Sequence, residues 1–261
     1  MAETGRLSAP AQPFASAVTL VRVAIIVGIL ATWEAVAASG LLFRDVVPSL
    51  KVIGLAIVEL LADPTYYFNL GVTAGEIGLA MLIGGLAGLV VGILLGSNRL
   101  LSRAFESYLY YLGPTPKIIF FPIMIMWFGV GPGSKIAMGV LSCFFPVALS
   151  AAAGMRTIDN VLIRVGRSFR ASTWQMVTKI YLPAMRLPII NGVRLGLGVA
   201  IIGTLLAETK LSNKGVGFLI INAYSTFNMP RMYALLIVLF VLSIGVNALI
   251  GKLGGVGTIK R

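Results

Sequence analysis

Apolar residues occur along this chain in six long stretches, and short polar segments separate each stretch from the next. A helix needs about 20 apolar residues to cross the hydrocarbon core of a bilayer. The stretches cover residues 20–40, 72–96, 105–129, 135–154, 187–207 and 232–250. The pattern therefore predicts an all-α membrane protein with about six transmembrane helices.

The residues before the first stretch are predicted to form a flexible tail, 1–18, and the rest a single transmembrane domain, 19–261. The first stretch has a second interpretation, because Arg22 precedes an apolar core and "AVAAS" resembles a signal-peptide cleavage site. However, the apolar run continues through Trp33 and Glu34 without a polar cleavage region, which favours a transmembrane span.

Lysine and arginine are unequally distributed between the two sides of the predicted bundle. With both ends on one side, thirteen basic residues lie there: Arg6, Arg22, Arg99, Arg103, Arg156, Arg164, Arg167, Arg170, Lys179, Arg186, Lys252, Lys260 and Arg261. Six lie on the other side: Arg44, Lys51, Lys135, Lys210, Lys214 and Arg231. Because cytoplasmic loops carry the excess of basic residues, both termini are predicted to be cytoplasmic.

Composition narrows the classes of function. The chain is 58% hydrophobic, contains no histidine and has one cysteine, so neither a zinc site nor a disulfide framework is expected. The net charge of +12 follows from membrane topology and attraction to anionic lipid, and it does not indicate nucleic-acid binding.

Small residues recur every four positions in two of the spans. The second span contains Ala80, Gly84, Gly88, Gly92 and Gly96, and the fifth contains Gly192, Gly196 and Ala200. Such stripes let two helix backbones approach closely. Packing within one subunit is the favoured interpretation, and a dimer seam is the alternative.

A shorter helix is predicted between the first two spans, over residues 48–64. Ser49 is its candidate N-cap and Pro64 its stop signal, with an apolar stripe that includes Ile53 and Leu60. A structural role in the bundle is favoured over a role at the membrane interface.

The third span contains helix-breaking residues and a charge. Gly113, three prolines and Lys117 lie together in "YYLGPTPKIIFFP". Irregular backbone at membrane depth occurs where it is buried in protein or lines a cavity, and an intramembrane charge suggests a functional site. Alternatively, Lys117 reaches the membrane surface or pairs with Glu34 or Glu76. The candidate residues of a translocation pathway are Thr115, Lys117, Arg194 and Glu208, of which Arg194 and Glu208 are equally open to a structural role.

The connection between the fourth and fifth spans, residues 155–186, is longer than a simple loop requires. One short helix is predicted to begin at Thr157 or Asp159 and to end at "RAS". Ser172 and Gln175 form a capping box that begins a second helix, which Pro183 ends. Four residues of this helix are predicted to form an apolar face: Trp174, Val177, Ile180 and Tyr181. This face would rest on lipid or dock into a groove on a soluble partner.

The end of this connection, "IYLPA", resembles the EAA loop of permease subunits in binding-protein-dependent ABC importers. The register is set by Ile180, Leu182 and Pro183. Further resemblance lies in "VVPSLKVI", "GPTPKIIFFPIMIMWFGVG", "FFPVAL", "NGVRLGLGVA", "LLAE" and "KGVGFLI", which together are similar to the nitrate, sulfonate, taurine and bicarbonate branch.

The resemblance implies a type I importer permease fold in the bacterial inner membrane. It also implies three protein partners: ABC ATPase subunits, a periplasmic substrate-binding protein and a second permease copy, with a homodimer as the simplest arrangement. ATP and Mg²⁺ would be bound by the ATPase, since this chain lacks G-x-x-x-x-G-K-[ST]. The solute is expected to be small and anionic, although relatives that carry neutral or aromatic solutes leave it open.

The resemblance assigns contact with the ATPase to one set of loop residues: Arg164, Val165, Gly166, Ser168, Phe169, Arg170, Ala171, Ser172, Trp174, Ile180, Leu182 and Pro183. The E-A-A positions of the motif are occupied by Arg164, Val165 and Gly166, and two departures from the motif change its chemistry. Arg164 stands where the motif has an acidic residue, and Arg170 stands at its glycine position. If the turn requires a left-handed residue, Arg170 costs roughly 1 to 2 kcal/mol relative to glycine.

Two other classes of function remain as alternatives. An ion-driven secondary transporter would use Glu34, Glu76 and Glu208 as coupling carboxylates, but it would leave the 155–186 connection without a role. A membrane-embedded enzyme lacks a recognisable pair of nucleophile and base.

Overall fold

The computed structural model of this chain describes residues 13–40 and 46–253, with side chains for residues 17–40 and 46–252. Within these ranges the regular structure is helical. The α-helices, in chain order α1 to α12, are Pro13–Ser39, Leu50–Ala62, Pro64–Ser97, Arg99–Leu112, Phe121–Phe128, Pro132–Arg156, Asn160–Ser168, Thr173–Gln175, Leu182–Ala184, Arg186–Lys210, Val216–Ser225 and Met229–Leu253. A 3₁₀ turn precedes α5 and a π-helical turn joins α8 to α9.

Five of the predicted spans are continuous helices. They are the apolar part of α1 (Ala17–Ser39), together with α3, α6, α10 and α12, all long and apolar enough to cross a membrane. Helix α1 already begins at Pro13, inside the stretch predicted as a tail, whereas residues 1–12 lie outside the described residues. The prediction of an all-α protein with about six spans is confirmed.

The third predicted span, 105–129, is broken rather than continuous. Helix α4 (Arg99–Leu112) and the helical stretch Lys117–Phe128 meet at an angle of 94°. The break lies at the "GPTP" sequence, where proline withholds backbone amide hydrogens and disfavours helix in the preceding residue. The prolines therefore do more than kink this helix, and two helices with separate directions replace the expected single span.

Helix α6 lies at the centre of the bundle and packs against both α3 and α10, which also contact each other. A Cβ atom at Gly88 would lie 2.7 Å from the carbonyl oxygen of Phe144 in α6. Where α10 packs on α6, a Cβ atom at Gly192 would lie 2.7 Å from Cβ of Ser150. Both glycine stripes therefore provide close contact within one chain, which confirms the favoured interpretation.

Helix α2 (Leu50–Ala62) forms where the sequence predicts it, but its ends are built differently. Ser49 occupies the N-cap position without a side-chain hydrogen bond, and Glu34 Oε2 instead accepts the amide hydrogen of Leu50 at 2.9 Å. Pro64 is the first residue of α3 rather than a stop, because Asp63 ends α2 and caps α3 by accepting from Thr65 N at 2.9 Å. The N-cap position predicted for Ser49 is therefore confirmed, although its side chain makes no capping bond, and Pro64 lies beyond the end of α2 as the first residue of the next helix.

The buried side of α2 packs into the bundle. Its buried residues Ile53, Ala56 and Leu60 follow helical spacing. Two of them join an apolar cluster with residues of α3, α11 and α12: Ala56, Leu60, Tyr66, Val216, Leu219, Ala223, Ala234 and Leu235. Asp63 adds an ion pair to Arg231 of α12 at 2.6 Å, and the Thr65 amide and Arg231 lower its pKa. These contacts favour the structural role predicted for this helix.

Candidate functional site

The connection between α6 and α10 begins with helix α7 (Asn160–Ser168). Of the two start residues that the sequence allowed, Asp159 is the N-cap, and its Oδ1 accepts the amide hydrogen of Val161 at 2.8 Å. Near the other end, the Ser168 hydroxyl donates to the carbonyl oxygen of Arg164 at 3.0 Å. Helix α7 is thus closed at its beginning by a side-chain cap, as the sequence predicted.

A left-handed turn ends α7 at the position where the family motif has glycine. Arg170 has φ of +50°. The amide of Ala171 donates to the carbonyl of Gly166 at 3.0 Å, and the amide of Arg170 donates to that of Arg167 at 2.9 Å. This pair of bonds is a Schellman motif. The turn therefore does require a left-handed residue, and arginine occupies it at a cost of roughly 1 to 2 kcal/mol.

The capping box predicted at Ser172 is present. Ser172 Oγ accepts from Gln175 N at 3.3 Å, and Gln175 Oε1 accepts from Ser172 N at 2.9 Å. The following helix is not regular, however. A π-helical turn, Met176–Tyr181, separates the short helices α8 and α9, and the Leu182 amide donates to the carbonyl of Val177, five residues back. Pro183 has no amide hydrogen, and it lies in the first turn of α9 rather than ending the helix.

This π-turn divides the predicted apolar face. Trp174 is 74% exposed, whereas Val177, Ile180 and Tyr181 are half-buried. The prediction that all four lie on one face was wrong, because the wider turn changes the angle between successive side chains. The buried residue of the turn is Met176, which the sequence analysis did not single out.

The two halves of the connection pack together through Gly166. A Cβ atom at this glycine would lie 2.6 Å from Met176 Sδ, and Ile180 Cδ1 is also in direct contact. The contact leaves the turn between the halves projecting outward, where Phe169 is 83% exposed and Arg170 and Trp174 are exposed as well. We call these three residues, Phe169, Arg170 and Trp174, the aromatic tip.

The remaining residues predicted to contact the ATPase surround this tip in different settings. Arg164, Ser168, Ser172 and Pro183 are exposed, as is Val165. Ala171 and Leu182 are half-buried beside the turn, and Gly166 is buried beneath it. The structure therefore brings the exposed residues of the set onto one projecting segment, while Gly166 and Ile180 lie inside it.

Lys117 lies at the break between α4 and α5. Its Nζ donates to the carbonyl oxygens of Gly113 and, at 3.2 Å, Thr115, and it lies 5.1 Å from the centre of the Phe145 ring. The suggested pairing with Glu34 or Glu76 is wrong, because neither carboxylate contacts Lys117. Thr115 is half-buried, and its hydroxyl donates to the carbonyl oxygen of Tyr111 at 3.1 Å.

Arg194 lies apart from this break. Its Nε donates to Asn247 Oδ1 at 2.7 Å, which joins α10 to α12. Its guanidinium also lies beside Gly251, where a Cβ atom would approach Nη1 to 3.4 Å. Arg194 therefore has a structural partner, and the structure does not bring it to Lys117 as part of one site.

Glu208 is fully buried and holds the segment that follows α10. Its Oε1 accepts from Thr73 Oγ1 at 2.7 Å and its Oε2 accepts from Gly217 N at 2.6 Å. The same segment is held by Thr73 Oγ1, which accepts from Val216 N at 2.8 Å, and by Asn69 Oδ1, which accepts from Gly215 N at 2.7 Å. We call Asn69, Thr73 and Glu208 the polar lock. It holds the "KGVGFLI" segment against Glu208 of "LLAE" and against α3.

Two charged residues near the polar lock were missed as structural groups. Lys135 is 2% exposed and its Nζ donates to the carbonyl oxygens of Val130, Gly131 at 3.1 Å and Leu211 at 2.9 Å. Glu76 is 5% exposed and lies close to Glu208, and its Oε2 has no hydrogen-bond partner among the described residues. The sequence showed only that Lys135 and Glu76 are charged residues at the edges of apolar spans. The groups that surround each of them are evident only in the fold.

Comparison with known proteins decides the family. Residues 84–254 match the family described as the binding-protein-dependent transport system inner membrane component. The chain belongs to this family. It is a permease subunit of an ABC importer, a membrane protein and not itself an enzyme.

Individual relatives agree with this assignment. The chain is 31% identical to the putative aliphatic sulfonates transport permease SsuC of Bacillus subtilis, over 86% of this chain and 79% of that permease. It is 32% identical to the taurine transport system permease TauC of Escherichia coli, over 72% of this chain and 70% of that permease. The predicted branch of ABC importer permeases is thereby confirmed.

The fold also has a counterpart of known structure. The inward-facing MetNI methionine ABC transporter contains a chain that matches with a TM-score of 0.60 at 19% identity. The match covers 81% of this permease and 98% of that chain. The type I importer fold is confirmed.

Proposed function

We propose that this permease forms part of a solute pathway that an ATPase partner opens and closes by pressing on the aromatic tip. The partner binds ATP and Mg²⁺ and hydrolyses the nucleotide. The proposal is carried by one observation: Phe169 and Trp174 are 83% and 74% exposed, although each belongs to a turn that internal hydrogen bonds hold in place.

Exposed aromatic side chains on a preformed turn suit a protein interface. Tryptophan and other aromatic residues supply a large share of binding energy at interfaces, and a turn that is already ordered loses little entropy on binding. The Schellman motif orders the residues before Ser172, and the capping box orders those after it. Movement of a bound partner would therefore be transmitted through Gly166 into α7 and the π-turn.

The charge of the segment indicates the kind of surface that receives it. Arg164, Arg167 and Arg170 are exposed and Asp159 is the one acid of the 155–186 connection. We infer that the groove of the ATPase is acidic where it meets α7, since a basic groove would repel it. The arginine at position 164, which replaces an acid in the motif, then reverses the usual polarity of this contact.

A second permease copy and a periplasmic binding protein complete the proposed transporter. Two copies related by two-fold symmetry are the simplest assembly for a membrane pathway. The apolar part of α1, Ala17–Ser39, is exposed along its length in the single chain, which leaves it available to lipid and to a second copy.

We propose a small anion as the solute. In the described part of the chain, Lys117 and Arg194 have no carboxylate partner, so each leaves a positive charge in the membrane region uncompensated. An anion would compensate such a charge. The relatives named for aliphatic sulfonates and taurine favour the same chemistry. Thr115 and Lys117, at the break, are its candidate contacts in the pathway.

Secondary transport is less well supported. Glu34 accepts a hydrogen bond from the first amide of α2, and Glu208 is fully buried within the polar lock. Both carboxylates therefore have structural roles in the fold. A coupling carboxylate must instead reach its ion from water during the transport cycle.

The test is purification of the tagged permease in mild detergent with its native partners, followed by vanadate-sensitive ATP hydrolysis. Wild type should retain an ATPase, and Trp174→Ala should lose most of it. Trp127→Ala is the matched control, because Trp127 is 72% exposed and lies outside the connection. Ion-driven uptake by the lone permease in liposomes, or equal ATPase retention by both variants, would contradict the proposal.

The solute proposal has its own test in whole cells. Lys117→Met should reduce uptake of an organic sulfonate at limiting concentration, and Lys117→Arg should retain part of it. Unchanged uptake with Lys117→Met at equal expression would show that Lys117 does not contact the solute.

A further inference from the structure

A second charged feature lies at the base of the connection, away from the aromatic tip. Here a cavity of about 900 Å³ opens between the last turn of α3, the first turn of α4 and helix α7. Its lining contains five arginines: Arg99, Arg103, Arg156, Arg164 and Arg167. None of the three residues of the aromatic tip lines it.

The positive charge of this cavity is largely uncompensated. Arg156 forms an ion pair with Glu106, whose Oε2 also accepts from Ser102 Oγ at 2.6 Å. Among the described residues, the other four arginines have no carboxylate partner, and no acid lines the cavity. Four guanidinium groups that face one space repel one another unless an anion joins them.

Neutral donors in the lining add to this preference. Asn160 and Tyr181 also line the cavity with an amide and a hydroxyl group, whereas the Ser97 and Ser102 hydroxyls already donate to the Leu94 carbonyl oxygen and to Glu106. Arginine binds phosphate through two parallel N–H bonds, and hydroxyl groups complete such sites. The lining is therefore suited to a group with several acceptor oxygens and a negative charge.

The position of the cavity indicates the source of that group. Leu95 and Gly96, in the last turn of a membrane span, line it together with Met155 at the end of another span. Lipid headgroups lie at this level, and Leu94 and Leu100 nearby in sequence are 51% and 75% exposed. Basic pockets between the ends of spans bind the headgroups of anionic lipids.

We propose that this arginine cavity binds the phosphate group of an acidic phospholipid. The headgroup joins α4 to α7, with acyl chains along the exposed leucines. The bound lipid thereby holds the base of the connection at a fixed distance from α3. The cavity shares Arg164 and Arg167 with the surface that we propose for the ATPase, whereas Arg99 and Arg103 lie outside that surface.

Native mass spectrometry of the purified permease in neutral detergent tests the proposal. The probe is phosphatidylglycerol, with phosphatidylcholine of the same acyl chains as the neutral comparison. The wild-type permease should retain more phosphatidylglycerol than phosphatidylcholine. The double variant Arg99→Gln/Arg103→Gln should bind it roughly 10- to 30-fold more weakly, since each arginine near a membrane surface contributes a factor of about five.

The matched control is Arg22→Gln/Lys252→Gln, which removes the same charge from exposed positions outside the cavity. It should bind phosphatidylglycerol within about twofold of wild type. Thermal unfolding of both double variants shows whether each is folded. If the first is not, Arg103→Gln alone should weaken binding about fivefold.

Two results would overturn the proposal: equal phosphatidylglycerol binding by wild type and the cavity variant, or loss of ATPase capture by that variant with lipid retention unchanged. The second result would assign the cavity to the partner interface. Displacement of the lipid by inorganic phosphate would support the phosphate site and identify free phosphate as its ligand. Since lipid binding is measured without ATPase, a failure here leaves the proposed import function intact.

Discussion

The two ends of helix α6 treat positive charge in opposite ways. In its first turn, Lys135 is 2% exposed and donates to three backbone carbonyls. In its last turn, Arg156 has a side chain that is 45% exposed, and Arg164 and Arg167 follow it without carboxylate partners in the described chain. The positive charge at the first end of α6 is buried and hydrogen-bonded, and we call this the closed end. The positive charges at and after the last turn are exposed, and we call this the presented end.

The buried charges therefore contribute to the fold, whereas the exposed arginines remain available to a ligand or a protein partner. A buried ion without partners costs several kcal/mol. Lys135 is accordingly hydrogen-bonded to backbone carbonyls, and Glu208 is hydrogen-bonded to a hydroxyl group and a backbone amide. Arginines at a water-exposed surface carry no such requirement. Their crowding is tolerated because a bound group or a docked partner can neutralise them.

The largest effect is expected at the closed end, from Glu208→Ala. The substitution leaves Thr73 Oγ1 and Gly217 N without their acceptor. Stability should fall by about 3 kcal/mol, or roughly 10 °C in Tm, as measured by thermal unfolding in detergent. The control is Glu59→Ala at an exposed position of α2. Lost transport with an unchanged Tm would instead make Glu208 a pathway residue.

A somewhat smaller effect is expected where α3 crosses α6. Gly88→Ala places a methyl group 2.7 Å from the Phe144 carbonyl oxygen, which forces the helices apart. Thermal unfolding should show a loss of about 2 kcal/mol. Gly85→Ala provides the matched control in the same helix, since a Cβ atom there meets nothing within 4 Å. If both variants behave alike, the seam is looser than the structure indicates.

At the presented end, removing strain should stabilise the turn. Arg170→Gly relieves the left-handed conformation and should strengthen the local turn by about 1 kcal/mol. Hydrogen exchange of the Ala171 amide, which donates to the Gly166 carbonyl, should become slower. Arg167→Gly, in the right-handed last turn of α7, should have the opposite effect. Faster exchange in Arg170→Gly would show that the arginine is held there by contacts that offset its strain.

The smallest effect on stability is expected from Arg164→Glu, because this residue is exposed. The Tm should change by less than about 2 °C. Stimulation of the ATPase should change nevertheless, since the charge that faces the partner is reversed. The pair of results would separate a surface contact from a structural residue. Normal assembly and normal stimulation would show that Arg164 does not meet the partner.

Predictions from the sequence were confirmed where the residues that matter lie close together in the chain. The capping box of Ser172 and Gln175, the N-cap Asp159 and the glycine stripes depend on spacing within one helix, and all were found. It failed where a distant residue takes part. Glu34 replaces Ser49 as the acceptor at α2, and Pro183 lies in α9, directly after a π-turn whose residues Met176 and Ile180 pack against Gly166.

The sequence determines the class of this protein, the approximate positions of its spans and the motifs that place it among ABC importer permeases. These features depend on hydrophobic length and on local hydrogen bonds, which neighbouring residues decide among themselves. Only the tertiary structure decides which buried charges are satisfied and which arginines share a cavity. Electrostatic energy depends on distances between residues far apart in the chain, and folding alone sets those distances.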